Sequence, residues 1–339
     1  MTLSVASVFL ASPMDYVAVD SGTTNSRAWL MRDREIQTRQ QMPVGVRNSA
    51  IDGNNFALLE GIRQAVQQLK SDAAPQRRPQ AVIAAGMITS SLGLHEVKHV
   101  QAPAGLHELS ARVEALRFEG IDEVFYFLPG VRTGPLEASP HNVDSLDIMR
   151  GEETEIIGSL ECLQLALPLL YIHLGSHTKL VKVDAAGRIA AGSSTLAGEL
   201  LHSVQQQTVL RSSLPASLPA SFDEDFFLRG WENCARSGLT RSLFQVRLLD
   251  LHSKFPKESF FSFLSGAVLH EEFCCLKTFT DGAGIQQAVL SGLPHLQPAW
   301  EFALKRLGLG VQRLSPEQTE QAFLTGLFRI FEHHRSTQT

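Results

Sequence analysis

The stretch YVAVDSGTTNSRAWL, from Tyr16 to Leu30, decides the fold of this chain. An apolar run ends on Asp20, a small hydroxyl-rich turn follows, and a second apolar run continues from the turn. This pattern predicts a β-hairpin. The turn offers backbone N–H groups and hydroxyls with little steric bulk, which suits an oligophosphate. An ordinary hairpin turn has a similar composition, so this stretch alone leaves both interpretations open.

On the phosphate-binding interpretation, the residues of this turn would contact a nucleotide. Asp20 ends the strand and accepts hydrogen bonds when ionised, which suits Mg²⁺ held through its water shell. The turn then supplies the other candidate phosphate contacts, which are Gly22, Thr23, Thr24 and Asn25.

A second predicted hairpin, in YIHLGSHTKLV from Tyr171, repeats this arrangement. Gly175, Ser176 and Lys179 again give a glycine, a hydroxyl and a following strand, while His177 is more typical of a turn than of a ligand or base. The weak repetition is of the kind expected from a duplicated α/β domain. One such turn from each half could hold a nucleotide between them.

The segment DIMRGEETEIIG lies between the two hairpins and predicts a helix entered through Gly151. It contains the carboxylates of Asp147, Glu152, Glu153 and Glu155. A helix dipole favours acidic residues at a helix start, so Glu152 and Glu153 need no catalytic explanation. In the functional interpretation, one carboxylate accepts the proton of a substrate hydroxyl that attacks a γ-phosphoryl group.

The order of these segments is that of the actin-like ATPase and sugar-kinase superfold. A phosphate-type hairpin, an acidic helix start and a second hairpin are followed by glycine-bearing segments near Gly292 and Gly326. The Walker A and GxGxxG motifs are absent from the sequence, which argues against P-loop and Rossmann proteins.

Alternating strand and helix patterns fill the rest of the chain. The sequence predicts an amphipathic helix over Phe56–Lys70 and strands over Ala81–Met87 and Glu123–Gly130. The second half is richer in predicted helices, and its Ser/Pro-rich run Arg211–Phe226 predicts a surface connection.

Composition narrows the class of partner. A length of 339 residues suggests two domains at roughly 150 residues each. The net charge of −5 argues against a nucleic-acid-binding protein, and no stretch reaches the roughly 20 apolar residues of a membrane helix.

Four cysteines without metal-ligand spacing predict reduced thiols in a cytoplasmic protein. Residues 1–13 lack the basic start of a signal peptide and are interpreted as a disordered extension.

From about Tyr16 to the last predicted helix, the chain resembles the 2-dehydro-3-deoxygalactonokinase family. The motifs that carry the resemblance are DSGTTNSRAWL, AAGMITSSLG, LPG, MRGEET, GSHTK, GEL, LFQVR and FLSG, in this order. The resemblance implies a two-lobed α/β protein with the actin-like ATPase (ribonuclease H-like) fold and an active cleft between duplicated domains. It also implies phosphorylation of 2-dehydro-3-deoxy-D-galactonate at its 6-hydroxyl, with ATP and Mg²⁺.

The resemblance also implies roles for individual residues. The phosphates and Mg²⁺ would be held by Asp20, Gly22, Thr23, Thr24 and Asn25 on one side and by Gly175, Ser176, His177 and Lys179 on the other, with Gly292 in the adenosine segment. The catalytic base would be Glu152, with Asp147 and Glu153 as open alternatives. The substrate carboxylate would bind Arg150 and Arg27, because guanidinium suits carboxylate. The sugar would face Gly86, Met87, Ser90 and Ser91.

The predicted division of the chain is an N-terminal lobe over residues 14–150, a C-terminal lobe over 151–316, and a helix over 317–336 that packs back on the first lobe. A homodimer is compatible with this organisation, and the sequence does not specify the oligomeric state. Two alternatives stay open. One is a kinase of the same fold for another sugar acid or sugar, and the other is a non-catalytic relative that binds a nucleotide or metabolite.

Overall fold

The structure is a computed structural model that describes residues 14–32, 34–72, 78–219, 221–280 and 282–338. The interpretation of residues 1–13 therefore lies outside the described residues. The strands are β1 (Asp15–Ser21), β2 (Ser26–Arg32), β3 (Glu35–Met42), β4 (Ala81–Gly86), β5 (Val100–Gln101), β6 (Glu114–Leu116), β7 (Val124–Phe127), β8 (Val131–Thr133), β9 (Asp147–Met149), β10 (Leu169–Leu174), β11 (Thr178–Val183), β12 (Ile189–Thr195), β13 (Gln287–Gly292) and β14 (Gly310–Arg313). The α-helices are α1 (Val46–Asp52), α2 (Phe56–Asp72), α3 (Leu106–Ser110), α4 (Glu152–Cys162), α5 (Ala197–Gln207), α6 (Glu224–Ser237), α7 (Leu239–His252), α8 (Lys257–Thr280), α9 (Gln297–Arg306) and α10 (Pro316–Gln338).

The first lobe is built on a six-stranded sheet in the order β3-β2-β1-β4-β7-β6. Strands β1, β2 and β3 are joined antiparallel, whereas β4 and β7 run parallel to β1. Strand β1 is central and apolar, and its residues from Tyr16 to Val19 are fully buried. In β3, inward and outward side chains alternate in exposure, which is the pattern of a half-covered strand.

The second lobe repeats this topology in a five-stranded sheet, ordered β12-β11-β10-β13-β14. Strands β10, β11 and β12 are antiparallel, and β13 and β14 run parallel to β10. In both sheets the first hairpin occupies the same place relative to the parallel strands. The prediction of a duplicated α/β fold of the actin-like type is confirmed.

A three-stranded sheet in the order β5-β8-β9 lies beside the first lobe, and its strands β8 and β9 contact β12 of the second. The sequence predicted no strand between Glu123–Gly130 and the helix entered through Gly151, but the structure has β8 and β9 there. Helix α4 follows Gly151 as predicted, whereas Asp147 belongs to β9.

Helices α4 and α10 pack against each other between the inner faces of the two large sheets. They cross very closely, because a Cβ atom at Gly158 would lie 1.7 Å from the carbonyl oxygen of Ala322. Helix α10 also reaches the first lobe, where Phe328 stacks on Tyr16 with ring centroids 5.2 Å apart. The crossing thus fixes the start of α4 relative to both sheets.

Candidate active site

The end of β1, the end of β4 and the start of α4 meet at one place. Gly86 ends β4 at φ +85°, and a Cβ atom there would lie 3.0 Å from Oδ1 of Asp20. Gly151 precedes α4 at φ +112°, and a Cβ atom there would lie 3.6 Å from the Cα of Gly86. Both φ angles are in the region that glycine adopts readily. The two glycines bring the acidic helix start next to the first hairpin.

The first hairpin turn is held from within and from α1. The amide of Gly22 donates to the carbonyl of Asn25 at 2.9 Å, and the amide of Arg47 donates to the carbonyl of Thr23 at 2.9 Å. Thr23, Thr24 and Asn25 are exposed. Their hydroxyl and amide groups are therefore available to a ligand.

Asp20 is the carboxylate of this turn, and 18% of its side chain is exposed. It accepts a hydrogen bond at 2.5 Å from Arg27, whose guanidinium lies over the ring of Trp29. Within the described residues, no group of three His, Cys, Asp or Glu side chains could hold a metal ion. Mg²⁺ commonly binds one or two carboxylates together with substrate phosphates and water, so Asp20 fits that donor set.

The second hairpin turn has a similar construction. The amide of Gly175 donates to the carbonyl of His177 at 3.1 Å, and the amide of Glu199 at the start of α5 donates to Ser176 at 2.8 Å. His177 lies 3.4 Å from the Glu199 carboxylate. Lys179 donates to the carbonyl of Ile148 at 2.6 Å, so it links β11 to the small sheet.

Gly292 ends β13 beside this second turn. Its φ is +83°, and a Cβ atom there would lie 2.1 Å from the carbonyl oxygen of Leu174. The residue lets β13 leave the sheet close to the end of β10. The structure therefore groups Gly292 with the Gly175 turn.

The three acidic candidates occupy different surroundings. Glu152 is half-buried at the start of α4 and accepts a hydrogen bond from the amide of Arg150 at 3.1 Å. Glu153 is 1% exposed, and both of its oxygens accept from the amide of Gly151 at 2.9 Å. Burial, together with the charge of Glu152, raises the pKa of Glu153 to about 8. Asp147 accepts from the Ser194 hydroxyl at 2.8 Å through each oxygen.

The candidate sugar contacts follow β4. Gly86 and Ser90 are buried, Met87 is half-buried and Ser91 is exposed. The Ser90 hydroxyl donates to the carbonyl of Met87 at 2.7 Å. Arg150 donates to the Thr89 hydroxyl and to the carbonyl of Val97, both at 2.8 Å, and so lies beside this segment.

The sequence analysis missed a buried polar network below the cleft. His173 on β10 lies 3.2 Å from Glu155 of α4 and 3.1 Å from the hydroxyl of Ser291 on β13. The hydroxyl of Tyr171 donates to Glu155 at 2.9 Å. Burial alone would lower the pKa of His173, but the Glu155 carboxylate raises it to about 9. In return, His173 outweighs burial and holds the pKa of Glu155 below its usual range.

The charges of Glu152 and Asp20 also reach His173 and raise its pKa. The His173 imidazole thus interacts electrostatically with the acidic helix start and with the first hairpin. Its own strand, β10, leads into the Gly175 turn. One signal was available in the sequence, because Tyr171 and His173 stand two residues apart in an otherwise apolar strand and therefore point to the same face of the sheet.

Two hydroxyl-rich turns, one from each copy of a duplicated sheet, and an acidic helix start between them define the class: a sugar kinase of the actin-like ATPase fold. Comparison with known proteins names the family. A sequence model of the 2-keto-3-deoxy-galactonokinase family matches residues 20–330, and the chain belongs to this family.

The similarity to individual relatives extends along nearly the whole chain. The 2-dehydro-3-deoxygalactonokinase of Escherichia coli strain K12 is 26% identical over 309 residues, which are 91% of this chain and 95% of the relative. A protein of Rhizobium meliloti strain 1021, named "Probable 2-dehydro-3-deoxygalactonokinase DgoK1", is 27% identical over 93% of this chain and 96% of its own. A crystal structure from Sinorhizobium meliloti, provisionally assigned the same activity, has a TM-score of 0.70 at 25% identity, covering 93% of this chain and 98% of that one.

In the described residues, no helix is long and apolar enough to cross a bilayer.

Proposed function

We propose that this chain transfers the γ-phosphoryl group of ATP to the 6-hydroxyl of 2-dehydro-3-deoxy-D-galactonate. The products are 2-dehydro-3-deoxy-6-phosphogalactonate and ADP. Membership of the family supports the reaction class and the substrate. The observation that carries the proposal is the approach of Asp20, Gly86 and Gly151, which sets the acidic start of α4 against the first hairpin turn.

The two turns hold the phosphates. Exposed Thr23, Thr24 and Asn25 donate from the first lobe, while exposed Ser176 provides its hydroxyl from the second. Asp20 would hold Mg²⁺, and the bound ion would supply charge neutralisation to the phosphoryl oxygens. Arg27 stays against Asp20 and limits how much negative charge the first turn presents to ATP.

The nucleoside of ATP occupies a cavity of about 450 Å³ beside the second turn. Its walls come from the start of α5 and from α8, including Leu196, Glu199, Val268 and Glu272. The Glu199 amide also donates to Ser176 of the turn, so one short segment links this cavity to the phosphates. Apolar walls with a few polar groups are typical of a nucleotide-base site.

Glu152 is the base. Among the three acidic candidates it is half-buried at the helix start, so its carboxylate can reach a substrate hydroxyl. Glu153 is buried against the Gly151 amide, and its raised pKa keeps it protonated near neutral pH. Asp147 is held by Ser194 on β12. Transfer is then an in-line attack, in which most of the catalysis comes from positioning and charge neutralisation.

The reaction belongs to the cytoplasm in this proposal, because all four cysteines are free in the structure and reduced thiols are typical of that compartment.

A coupled ADP assay tests the function. Purified protein is given ATP, Mg²⁺ and a panel of 3-deoxy-2-keto acids and neutral sugars, and the phosphorylated position is assigned by NMR. We expect ADP release with the six-carbon galactonate-derived acid and phosphate on its 6-hydroxyl. Faster turnover of another acid or sugar would refute the substrate. Binding of the sugar acid without any ADP release would refute a kinase.

A further inference from the structure

One face of the three-stranded sheet carries a row of cations. On this face Arg132 of β8 lies in register between Gln101 of β5 and Ile148 of β9. Arg150 immediately follows β9, and Lys179 reaches the edge of β9 through its bond to the carbonyl of Ile148. Ile148 is 58% exposed, so the face is open to solvent.

Among the residues that the structure describes, these cations have no acidic partner. Within the described parts of the chain, no carboxylate forms a salt bridge with Arg132, Arg150 or Lys179. Nη2 of Arg132 donates to the backbone carbonyls of Pro135 and Leu136. Nε of Arg132 is buried without a hydrogen-bond partner. Since a guanidinium has five N–H donors, Arg132 retains donors for a ligand.

His99 reports the positive potential of this face. Burial, followed by the charges of Arg150, Arg132 and Lys179, lowers the pKa of His99 to about 4, so its ring is neutral at physiological pH. Its Nε2 atom is buried and also lacks a hydrogen-bond partner. Glu153 and Glu96 are near enough to affect the pKa of Arg150, yet the field at His99 is still positive.

The row begins at the proposed base. Arg150 is two residues from Glu152, and Gly130 leaves the space in which Arg150 and His99 meet. A Cβ atom at Gly130 would lie 2.7 Å from Cγ of Arg150 and 3.0 Å from Cδ2 of His99. Cations therefore extend from the start of α4 towards Arg132. An extended six-carbon chain spans roughly 6 Å, so a substrate that has its hydroxyl at Glu152 and follows this row would bring its carboxylate to these cations.

We propose that His99, Arg132, Arg150 and Lys179 form the subsite for the carboxylate and 2-keto group of the sugar acid, and that Arg132 determines the preference for an acid over a neutral sugar. The inference rests on the proposed function, because it assumes that the hydroxyl at the other end of the substrate lies at Glu152. Guanidinium and carboxylate pair through charge-assisted hydrogen bonds.

The test compares wild type with Arg132→Gln. For the variant we expect the KM for the 2-keto-3-deoxy acid to rise about 10- to 100-fold, as for loss of a charge-assisted hydrogen bond. The KM for ATP should not change. Turnover of the corresponding neutral 3-deoxyketose, which has a hydroxymethyl group in place of the carboxylate, should also be unchanged. Arg132→Lys keeps the charge and should recover part of the loss.

Arg117→Gln is the matched control, because Arg117 also donates to a backbone carbonyl, that of Asp122, but lies outside this row. An unchanged KM for the acid in folded Arg132→Gln would overturn the inference. Equal losses for the acid and the neutral ketose would do the same, since they would indicate a structural role.

Pyruvate, a 2-keto carboxylate without the sugar chain, separates this inference from the proposed function. We expect it to raise the melting temperature of the wild type in the absence of ATP and to leave Arg132→Gln unaffected. Should the wild type phosphorylate no sugar acid and yet show this difference, the proposed function fails and the subsite stands. Pyruvate stabilisation that is equal in both proteins refutes the subsite.

Discussion

Replacing Gly158 by alanine should disturb the crossing of α4 and α10. The new Cβ atom would lie 1.7 Å from the carbonyl oxygen of Ala322 and 2.6 Å from the amide of Gly326, whereas unstrained contacts between non-bonded atoms are about 3.5 Å. Both obstacles are backbone atoms of α10, so no side-chain rotation relieves them and the helices must move apart.

The expected cost can be estimated. Overpacking costs about 1–3 kcal/mol, and the better helix propensity of alanine returns about 1 kcal/mol. Because two backbone groups are in the way, we expect the upper end of that range and a free energy of unfolding about 2 kcal/mol below that of the wild type. Turnover should fall as well, because α4 carries Glu152.

Urea denaturation followed by circular dichroism measures the loss. Gly61→Ala in α2 is the control, because its Cβ atom would meet a terminal carbon of the Val44 side chain, which can rotate away. We expect this variant to be as stable as the wild type or slightly more stable. If Gly158→Ala were equally stable, the close crossing described here would be wrong.

Three further predictions concern the cleft. Glu152→Gln should lower kcat by about 10²–10⁴-fold while ATP binding persists. Glu153→Gln should change kcat only a few-fold, because Glu153 is already protonated. Steady-state rates and ATP titrations measure both effects, and a larger loss of kcat in Glu153→Gln would make Glu153 the base. The ion pair of His173 and Glu155 should stabilise the fold fully below the unfolded histidine pKa of about 6.5, and this stability, on the order of 3 kcal/mol, should be lost as pH rises through about 9. Glu153 also lowers the stability as pH rises towards 8, so the wild type alone cannot isolate the histidine. In His173→Gln the urea midpoint should fall less between pH 7 and 9 than it does in the wild type. If both proteins gave the same dependence of the midpoint on pH, the ion pair would be disproved. Asp20→Asn should raise the Mg²⁺ concentration needed for half-maximal ADP release, and an unchanged metal dependence would exclude Asp20 as a ligand.

Local patterns predicted the central strands well. The apolar run before Asp20 became β1, and the run Phe56–Lys70 became α2 with two more residues. Both elements bury residues whose spacing matches their own period, so the sequence carries the signal directly.

The small sheet could not be predicted in the same way. Strand β5 has two residues and β8 has three, and each pairs with a distant segment of the chain. Runs this short show no periodicity. The cation row depends on the register between these strands, so it was also not predictable, although Arg150 had been singled out.

The candidate site was predicted in part. The turns at Gly22 and Gly175 and the acidic start of α4 were recognisable because glycine, hydroxyl and carboxylate residues cluster locally. The partner of His173 was not, because Glu155 comes from another element and resembles any other acid in a helical first turn. Sequence identifies such groups, and only the fold shows which of them pair.

The position of α10 has a consequence for synthesis of the chain. Its aromatic residues cover the inner face of the first sheet, where Phe328 meets Tyr16 and Phe331 meets Tyr126. Those contacts cannot form on the ribosome until α10 has emerged. Until then, the hydrophobic inner face of the first sheet stays exposed to solvent. A nascent chain stalled before Pro316 should therefore recruit chaperones, even though the whole first sheet has already been translated.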